Sequence, residues 1–365
     1  MENLEMNNLF GGIYKNRRVL ITGHTGFKGS WLSYWLNLMG AKVYGISLDP
    51  PTKPSHFDHL DFKIESYIQD INSFKETEQI IQNIDPEAIF HLAAQPLVRL
   101  SYQEPISTLA TNILGTANIL ECARNLSKLK AVIVVTSDKC YENNEWVWGY
   151  RENEAMGGKD PYSASKGCAE IVTSAYRNSF FSQSGSALIA SARAGNVIGG
   201  GDWAKDRILT DIVVAASKDE KVFLRFPNAT RPWQYVLEPL SGYLTLGWHL
   251  LEGKRFAAES WNFGPNNESN VTVKDLVNEA TKHWNKIKFD FDKGKHPHEA
   301  GFLMLDSSKA SKLIHWKPVW EFKDTVKYTV DWYKAFYETG QLLTDDVLRN
   351  YIVDAQKINI PWSLT

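Results

Sequence analysis

One stretch indicates the fold class of this 365-residue chain: Arg18-Val19-Leu20-Ile21-Thr22-Gly23-His24-Thr25-Gly26-Phe27-Lys28-Gly29. Its first five residues are an apolar run that predicts a buried strand, and glycines at a spacing of three follow at once. Large apolar side chains then recur at helical spacing over 30–39, so we predict a helix there that Gly40 terminates. A second apolar run over 42–48 predicts another strand, parallel to the first through a right-handed crossover.

Further strands and helices alternate along the chain after this opening. The apolar pattern predicts strands over 67–69, 88–92 and 131–136, and helices over 73–83 and 105–125. Such alternation predicts an α/β protein with a Rossmann-type doubly wound parallel sheet. In sheets of this kind ligands bind at the carboxyl ends of the strands, and the glycine turn lies at one of them.

The length exceeds the size at which a single hydrophobic core usually stops growing, so we predict two lobes. The first is an NAD-binding Rossmann domain over 15–193, rejoined by about 236–265, where 239–252 is a helix that packs back on it. The second is a smaller mixed α/β lobe that binds the substrate, formed by 194–235 and 266–345. Residues 1–14 and the chain after Thr344 are predicted to be peripheral, with 346–365 as a C-terminal tail.

Composition excludes several classes of function. Forty basic and forty-two acidic residues give a formal charge of -2, which removes the electrostatic basis for broad binding to nucleic acids or anionic membranes. No apolar run approaches the roughly 20 residues that cross a bilayer, and the first residues lack the order of a secretory signal. The three cysteines have no spacing typical of a metal site: Cys122, Cys140 and Cys168. We therefore predict a cytoplasmic protein with reduced thiols and no bound metal.

The glycine turn predicts a dinucleotide site. A diphosphate that approaches the first helix needs backbone without β-carbons, and it gains from unpaired N–H groups and the helix dipole. Asp49 follows Gly29 by 20 residues, where a carboxylate can bind the adenosine ribose and favour NAD over NADP. The alternative is that Asp49 begins the turn Asp49-Pro50-Pro51. Asp70 and Ile71, after the third strand, are predicted to contact the adenine.

A second set of residues predicts proton and hydride chemistry. Tyr162 and Lys166 are four apart in a segment that should be helical after Pro161, so both side chains leave the same face. A neighbouring ammonium favours the phenolate, so we predict that Lys166 lowers the pKa of Tyr162 and makes it a usable base. Ser137-Asp138-Lys139 follows another predicted strand and should lie close by.

These residues carry a family resemblance over nearly the whole chain. It rests on the following motifs: Gly23-x-x-Gly26-x-x-Gly29, His91-Leu92-Ala93-Ala94-Gln95, Asn112-x-x-Gly115-Thr116, Tyr162-x-x-x-Lys166 and Arg193-x-x-Asn196. Together they resemble an extended short-chain dehydrogenase/reductase that acts on nucleotide sugars. Four further segments closely resemble the 4,6-dehydratase branch of that family: 137–139, 145–152, 199–204 and 231–234.

The resemblance implies a redox-neutral lyase with one bound NAD. It implies that Tyr162 deprotonates the C4 hydroxyl with Lys166 beside it, that Ser137 assists at the C4 oxygen, and that Asp138 protonates the departing C6 hydroxyl. The implied cofactor contacts are Gly23, His24, Thr25, Gly26, Phe27, Lys28, Gly29, Asp49, Asp70, Ile71, Leu92, Ala93, Ala94, Gln95, Thr111, Thr136, Tyr162 and Lys166. The implied substrate contacts are Asn196, Arg207, Arg231, Asn267 and, less directly, His298 with Glu299.

The sequence departs from the related dTDP-glucose dehydratases at two positions. Lys139 stands where those enzymes carry the glutamate that acts as C5 base, so it either acts as the base or stabilises the C5 enolate as an ammonium. When the first helix is aligned with theirs, Ser47 and not Asp49 falls where their ribose-binding aspartate lies. Weaker retention of NAD is therefore predicted.

Two other functions compete with the dehydratase prediction. One is another nucleotide-sugar enzyme on the same scaffold, such as a 4-epimerase, a decarboxylase, or a dehydratase for a dTDP or GDP sugar. Asp138 argues against an epimerase or a decarboxylase, because elimination needs an acid beside C6. The other is a non-catalytic NAD-binding module, which would have no use for a tuned phenol. The resemblance also implies a homodimer built through helices 105–125 and the one with Tyr162, and a role in bacterial O-antigen (lipopolysaccharide) biosynthesis.

Overall fold

The fold was analysed in a computed structural model that describes residues 5–266, 269–292, 294 and 302–364. The strands are β1 (Arg18–Thr22), β2 (Lys42–Ser47), β3 (Glu65–Ile68), β4 (Ala88–His91), β5 (Ala131–Val135), β6 (Leu188–Ala194), β7 (Val197–Ile198), β8 (Lys221–Leu224), β9 (Thr230–Pro232), β10 (Gln234–Tyr235), β11 (Ser260–Phe263), β12 (Asn270–Thr272) and β13 (Lys288–Phe291).

The helices alternate with these strands through the first half of the chain. They are α1 (Phe27–Leu38), α2 (His56–His59), α3 (Phe74–Ile84), α4 (Val98–Gln103), α5 (Pro105–Leu109), α6 (Gly115–Arg124), α7 (Pro161–Phe180), α8 (Ile208–Ser217), α9 (Leu237–Leu251), α10 (Val273–His283), α11 (Ser308–Leu313), α12 (Phe322–Thr339) and α13 (Thr344–Lys357). Short 3-10 turns lie at Met6–Gly12, Asp138–Cys140, Arg255–Ala257 and Pro361–Ser363.

Seven strands form one parallel sheet in the order β11-β6-β5-β4-β1-β2-β3. The strand order reverses between β1 and β4, which is where such sheets bind ligands. The α/β class and the doubly wound sheet predicted from the sequence are confirmed. The predicted strands of the first half are all present, with ends that differ by one or two residues.

The sheet divides two hydrophobic cores, and β1 shows how the sequence builds them. Val19 and Ile21 belong to the core beneath α1 and α9, whereas Leu20 faces the core beneath α3, α6 and α7. Every one of these three side chains is fully buried. A continuous apolar run is therefore needed, because alternate residues of a central strand enter opposite cores.

The helix predicted over 105–125 is interrupted by a change of helical pitch. Between α5 and α6 the residues Ala110–Leu114 form a π-helical segment, with the buried Asn112 at its centre. A π segment adds a residue to a turn and turns side chains to directions that a regular helix does not allow. Apolar periodicity did not reveal it, because the core-facing positions on either side still follow a helical pattern.

The prediction that the end of the chain is peripheral is wrong. Residues predicted as a tail form α13 and a final 3-10 turn, and Leu348, Tyr351, Ile352 and Trp362 are buried. Phe10, in the N-terminal segment also predicted to be peripheral, stacks on Trp362 with ring centroids 5.1 Å apart. Both termini therefore complete the core that covers α1.

The part of the chain predicted as a second lobe contains small sheets and helices. Strand β9 pairs with β12, β10 with β7, and β13 with β8. Helix α9 returns to pack on β5 and β6, and β11 extends the main sheet beyond β6, which supports the predicted return of the chain to the first lobe. The division into lobes at the predicted boundaries stays a prediction. No helix in the described part of the chain is both long and apolar enough to cross a membrane.

Candidate active site

The turn between β1 and α1 fits a dinucleotide. Gly23 has φ +77°, and a β-carbon there would lie 2.8 Å from the Ala93 nitrogen. A β-carbon on Gly29 would lie 2.0 Å from the Gly23 carbonyl oxygen, so α1 approaches the turn more closely than a side chain allows. No side chain caps the first turn of α1, which leaves backbone N–H groups free for a phosphate.

Two residues inside the glycine turn are engaged with neighbouring strands. The His24 imidazole lies 2.7 Å from the Ser66 hydroxyl and packs where a β-carbon on Gly45 would clash. Burial lowers the pKa of His24 to about 4, so the ring is neutral. The Thr25 hydroxyl donates to the Leu48 carbonyl and lies 2.7 Å from the Ser47 hydroxyl. Cofactor contacts by these two residues, which stay predictions, would come mainly from their backbone.

The predicted ribose and adenine contacts lie at the ends of β2 and β3. Ser47 is the last residue of β2 and is buried, whereas Asp49 lies two residues beyond it and is exposed. Asp70 is exposed and accepts a hydrogen bond from the Asn72 backbone, while the Ile71 side chain is buried against Gly115. Asp49 and Asp70 are therefore both accessible to a ligand at this edge of the sheet.

The segment after β4 is held by the π segment. Asn112 Nδ2 donates to the Gln95 carbonyl (3.1 Å) and to the Ser165 hydroxyl of α7 (2.8 Å). Asn112 Oδ1 accepts from the Gln95 backbone nitrogen (2.8 Å). Nearby, Asn72 donates to the Thr111 hydroxyl. The Asn112 amide therefore joins the predicted cofactor residues Leu92 to Gln95 to α7, the helix with the predicted catalytic pair. The sequence analysis missed this role.

The predicted catalytic acid lies at the end of β5. Ser137 caps the 3-10 turn there by accepting from the Lys139 nitrogen (3.2 Å), and its hydroxyl donates to Asp138 Oδ1 (2.9 Å). Asp138 is buried, and a β-carbon on Gly195 would lie 2.9 Å from its Oδ2. Burial raises the pKa of Asp138 against the opposing effects of Lys139, Ser137 and Lys28. A raised pKa suits a carboxyl that acts as a general acid.

Helix α7 presents the predicted pair to the same place. Asp160 caps the helix by accepting from the Ser163 nitrogen, and Tyr162 and Lys166 are both buried on one face. The Tyr162 hydroxyl shares a hydrogen bond with Ser137, which joins α7 to the end of β5. The predicted grouping of Ser137, Asp138, Tyr162 and Lys166 in one site agrees with these contacts.

The prediction that the pKa of Tyr162 is lowered is wrong in this structure. Burial raises the pKa of Tyr162 to about 12, and the effects that oppose it come from Ser137 and Arg207. Burial likewise lowers the pKa of Lys166 to about 8, with Glu170 acting in the other direction. Both groups are removed from water, and the loss of solvation disfavours the phenolate and the ammonium alike.

The Lys28 side chain extends from α1 toward the predicted catalytic residues Asp138 and Lys166. Its ammonium donates to the Tyr243 hydroxyl of α9 (3.4 Å) and is within electrostatic range of Asp138, Lys166 and Arg207. Burial, then Arg207 and Lys166, lower the pKa of Lys28 to about 7. Sequence analysis placed Lys28 at the cofactor but missed Tyr243, since no local pattern connects residues 215 apart.

The predicted substrate contacts are distributed over the second lobe. Arg207 Nε pairs with Asp202 Oδ2 at 3.0 Å and acts on the pKa of Tyr162, so it lies nearer the catalytic group than expected. Asn196 follows Gly195 directly, beside Asp138, and Arg231 lies in β9. Asn267, His298 and Glu299 lie outside the described residues.

A surface cavity of about 780 Å³ lies apart from the catalytic group. It is lined by Trp148, Asn266, Asp306, Lys317 and their neighbours. None of the predicted catalytic residues lines it.

The fold and this site define a nucleotide-sugar enzyme of the extended short-chain dehydrogenase/reductase class. The family model for GDP-mannose 4,6 dehydratase matches residues 20–329. The chain therefore belongs to the GDP-mannose 4,6 dehydratase family, and the predictions of an enzyme and of this class are confirmed.

Curated relatives extend the match over most of the chain. The CDP-glucose 4,6-dehydratase of Salmonella typhimurium is 51% identical over 339 residues, which cover 90% of this chain and 94% of that protein. A dTDP-glucose 4,6-dehydratase of Salmonella typhimurium is 26% identical and covers 87% of this chain and 93% of its own length.

Solved structures share the fold at lower identity. A dTDP-glucose 4,6-dehydratase from Bacillus anthracis, in complex with NAD, has a TM-score of 0.72 at 21% identity, covering 88% of this chain and 98% of that one. A UDP-glucose 4-epimerase from Thermotoga maritima, with UDP-glucose, has a TM-score of 0.74 at 23% identity, covering 89% of this chain and 100% of that one. At these identities the similarity supports the fold alone.

Proposed function

We propose that this protein is a CDP-glucose 4,6-dehydratase, which converts CDP-D-glucose to CDP-4-keto-6-deoxy-D-glucose with NAD as cofactor. The four segments that resemble the 4,6-dehydratases resemble the CDP-glucose enzyme most closely. The 51% identity to the Salmonella typhimurium protein of that name supports the substrate. The observation that carries the reaction type is the buried Asp138 carboxyl beside Ser137 and within electrostatic range of Tyr162, because elimination of water needs an acid that epimerisation does not.

In this proposal each side chain acts at a stated atom of the hexose. Tyr162 takes the proton of the C4 hydroxyl while Ser137 holds the C4 oxygen, and Lys166 keeps the site positively charged. Asp138, whose pKa burial raises, gives its proton to the departing C6 hydroxyl. Lys139, half-buried beside Asp138, serves at C5 either as base or as a cation that stabilises the enolate.

NAD supplies the hydride acceptor for C4 and the hydride donor for C6. Gly23, Gly26, Gly29 and the uncapped start of α1 would hold its diphosphate, because glycines let the backbone of the turn pack closely and leave the first N–H groups of α1 without a side-chain cap. The exposed Asp49 and Asp70 would bind the adenosine end. The remaining cofactor contacts implied by the resemblance stay part of this proposal.

The charges around the site suit an anionic substrate. Lys28 lies within electrostatic range of both Lys166 and Arg207. Carboxyls also act here: Asp138 on Lys28, Glu170 on Lys166, and Asp202 as the partner of Arg207. A sugar nucleotide carries a diphosphate that can neutralise such a cluster. Arg207, Arg231 and Asn196 are the described residues proposed to bind it, with Asn267 and His298 from outside the described part.

Assembly and location belong to the same proposal. A homodimer through α5, α6 and α7 is supported by the exposed apolar side chains of Ile106, Leu114 and Ile171. A cytoplasmic location is favoured by three unpaired cysteines, two of them buried. The product is a precursor of deoxyhexoses, so the proposed role is in O-antigen synthesis.

The test is incubation of the purified protein with CDP-glucose and NAD, followed by an ultraviolet scan in alkali for the 4-keto sugar. We expect the 4-keto product from CDP-glucose at a rate well above that from dTDP-glucose, GDP-mannose or UDP-glucose. Tyr162→Phe is the matched control, because it keeps the ring and removes the proton acceptor. Recovery of an epimerised CDP-hexose, or preference for another nucleotide, would overturn the assignment.

A further inference from the structure

A buried carboxylate continues the catalytic face of α7. Tyr162, Lys166 and Glu170 follow one another at a spacing of four, which places them along one side of the helix. All three are buried, and Glu170 is only 3% exposed. The carboxylate does not touch the proposed hexose site, so its burial needs another explanation.

Glu170 joins α7 to two strands. Its Oε2 accepts from Arg193 Nη2 and from the Ser191 hydroxyl, both at 2.7 Å on β6. Its Oε1 accepts from the hydroxyl of Thr136, the residue immediately before Ser137. The pair thus fixes α7 against the strand end that carries Ser137 and Asp138.

Arg193 is in turn held on its other side. Its Nη1 donates to the Tyr141 hydroxyl (2.6 Å) and to the Glu152 carbonyl (3.0 Å). Although burial acts to raise it, the pKa of Glu170 lies below its usual value because of Arg193 and the hydroxyl donors, so the carboxylate is ionised. Buried ion pairs seldom add stability over apolar packing of the same size, which points to a functional reason for this one.

We propose that Glu170, held by Arg193, is a positioning residue that keeps Lys166 aligned with Tyr162 and in its charged form. Lys166 is buried and has lost solvation, and a fixed negative charge one turn away offsets part of that loss. This inference rests on the proposed function only where turnover is measured, since the contact between α7 and the strands is independent of the substrate.

Other groups face Lys166 from the elements around it. Lys28 on α1 is a cation within range, His91 on β4 is held neutral because burial lowers its pKa to about 3, and the Cys140 thiol after β5 is neutral because burial raises its pKa. Of the groups that act on Lys166, Glu170 is therefore the one that carries a negative charge, and the charge of Lys166 depends on it.

The test compares Glu170→Gln with the double variant Glu170→Gln/Arg193→Met, in which neither buried charge is left uncompensated. The fraction of Lys166 in the neutral form is measured across pH by competitive acetylation with acetic anhydride and peptide mass spectrometry. We expect both variants to show the titration of Lys166 moved down by about 1 pH unit, the lower end of the effect of an opposite charge nearby. The alkaline limb of turnover with CDP-glucose should move with it.

Ser191→Ala is the control, because it removes one hydrogen bond from Glu170 and leaves the carboxylate in place. We expect its Lys166 titration to match that of the unaltered protein. An unchanged titration in the folded double variant would overturn the inference even if Glu170→Gln alone fails to fold. If CDP-glucose is not turned over, the proposed function fails, whereas the acetylation result still decides the role of Glu170.

Discussion

At the scale of single residues, the site places several cations near the buried carboxyl of Asp138. Burial is the main cause that lowers the pKa of Lys28, and Arg207 and Lys166 lower it further. Lys28 stands in the glycine turn itself, next to the backbone that would hold the dinucleotide. The charge of Lys28 therefore affects the binding of an oxidised nicotinamide, which is itself a cation.

Lys28→Met should strengthen the binding of oxidised NAD. Removal of the ammonium relieves repulsion, and we expect affinity to rise by about tenfold, the factor that ~1.4 kcal/mol provides. NADH, whose ring is neutral, should respond much less. Calorimetric titration of the two cofactors into the protein measures this difference.

The same interaction predicts a pH dependence of cofactor binding. The pKa of Lys28 is about 7, so the ammonium loses its proton as pH rises from 6 to 8 and repulsion disappears. The affinity of the unaltered protein for NAD should therefore increase over that interval, and that of Lys28→Met should stay flat. Lys15→Met, at an exposed lysine, is the control. Parallel pH profiles for all three proteins would contradict the prediction.

Asp138→Asn should separate oxidation from elimination. The amide keeps the shape of the carboxyl but cannot give up a proton, so we expect formation of the 4-keto-6-deoxy sugar to fall about 10²- to 10⁴-fold. Oxidation at C4 should persist, and reduced nicotinamide should accumulate in its absorbance band. Asp61→Asn, at an exposed carboxyl, should leave both steps unchanged. Normal dehydration by Asp138→Asn would remove this residue from the mechanism.

At the scale of elements, the two chain ends are structural parts of the first lobe. Trp362 stacks on Phe10 and on Tyr351 of α13 and lies edge-on to Trp35 of α1, with ring centroids between 5.1 and 5.9 Å apart. Helix α1 carries the glycine turn at its start, so this aromatic cluster supports the cofactor site from behind. The segment predicted as a tail therefore packs against α1 and supports it.

Trp362→Ala should destabilise the protein by about 3–5 kcal/mol, because the ring is 1% exposed and leaves a cavity among three aromatic side chains. Chemical denaturation followed by fluorescence measures the change. Leu364→Ala, two residues away at a side chain 46% exposed, should cost little. Equal effects of the two substitutions would show that the C-terminal turn does not pack as described.

At the scale of the whole molecule, several large apolar side chains are exposed on neighbouring helices. Tyr102 on α4, Ile106 on α5, Leu114 in the π segment and Ile171 on α7 are between 58% and 77% exposed. Helices α4 and α5 pack against α7, so these side chains share one surface. Such a patch on adjacent helices favours association with a second copy of the chain.

Ile106→Glu combined with Ile171→Glu should convert the proposed dimer to a monomer, because a dimer interface would bury four unpaired carboxylates. Sedimentation velocity over a range of concentrations measures the change. Ile358→Glu is the control, since Ile358 is 41% exposed but lies after α13. A concentration-independent monomer of the unaltered chain, or a dimer that survives the double substitution, would rule out this interface.

The sheet, the glycine turn and the spacing of Tyr162 and Lys166 could all be predicted from the sequence. These features are local, since apolar periodicity, a glycine at positive φ and a four-residue helical repeat act within one or two turns of chain. The C-terminal segment was misjudged because the polar face of α13 is evident in the sequence, whereas its partners Phe10 and Trp35 lie more than 300 residues away.

The electrostatics of the site, by contrast, depend on tertiary packing. The sequence predicted that Lys166 would lower the pKa of Tyr162, but burial of both groups raises that pKa to about 12. The contacts of Lys28 with Tyr243 and of Glu170 with Arg193 join segments far apart in the chain. The physical reason is that solvation depends on everything packed around a group, and no local pattern records which distant side chains exclude the water.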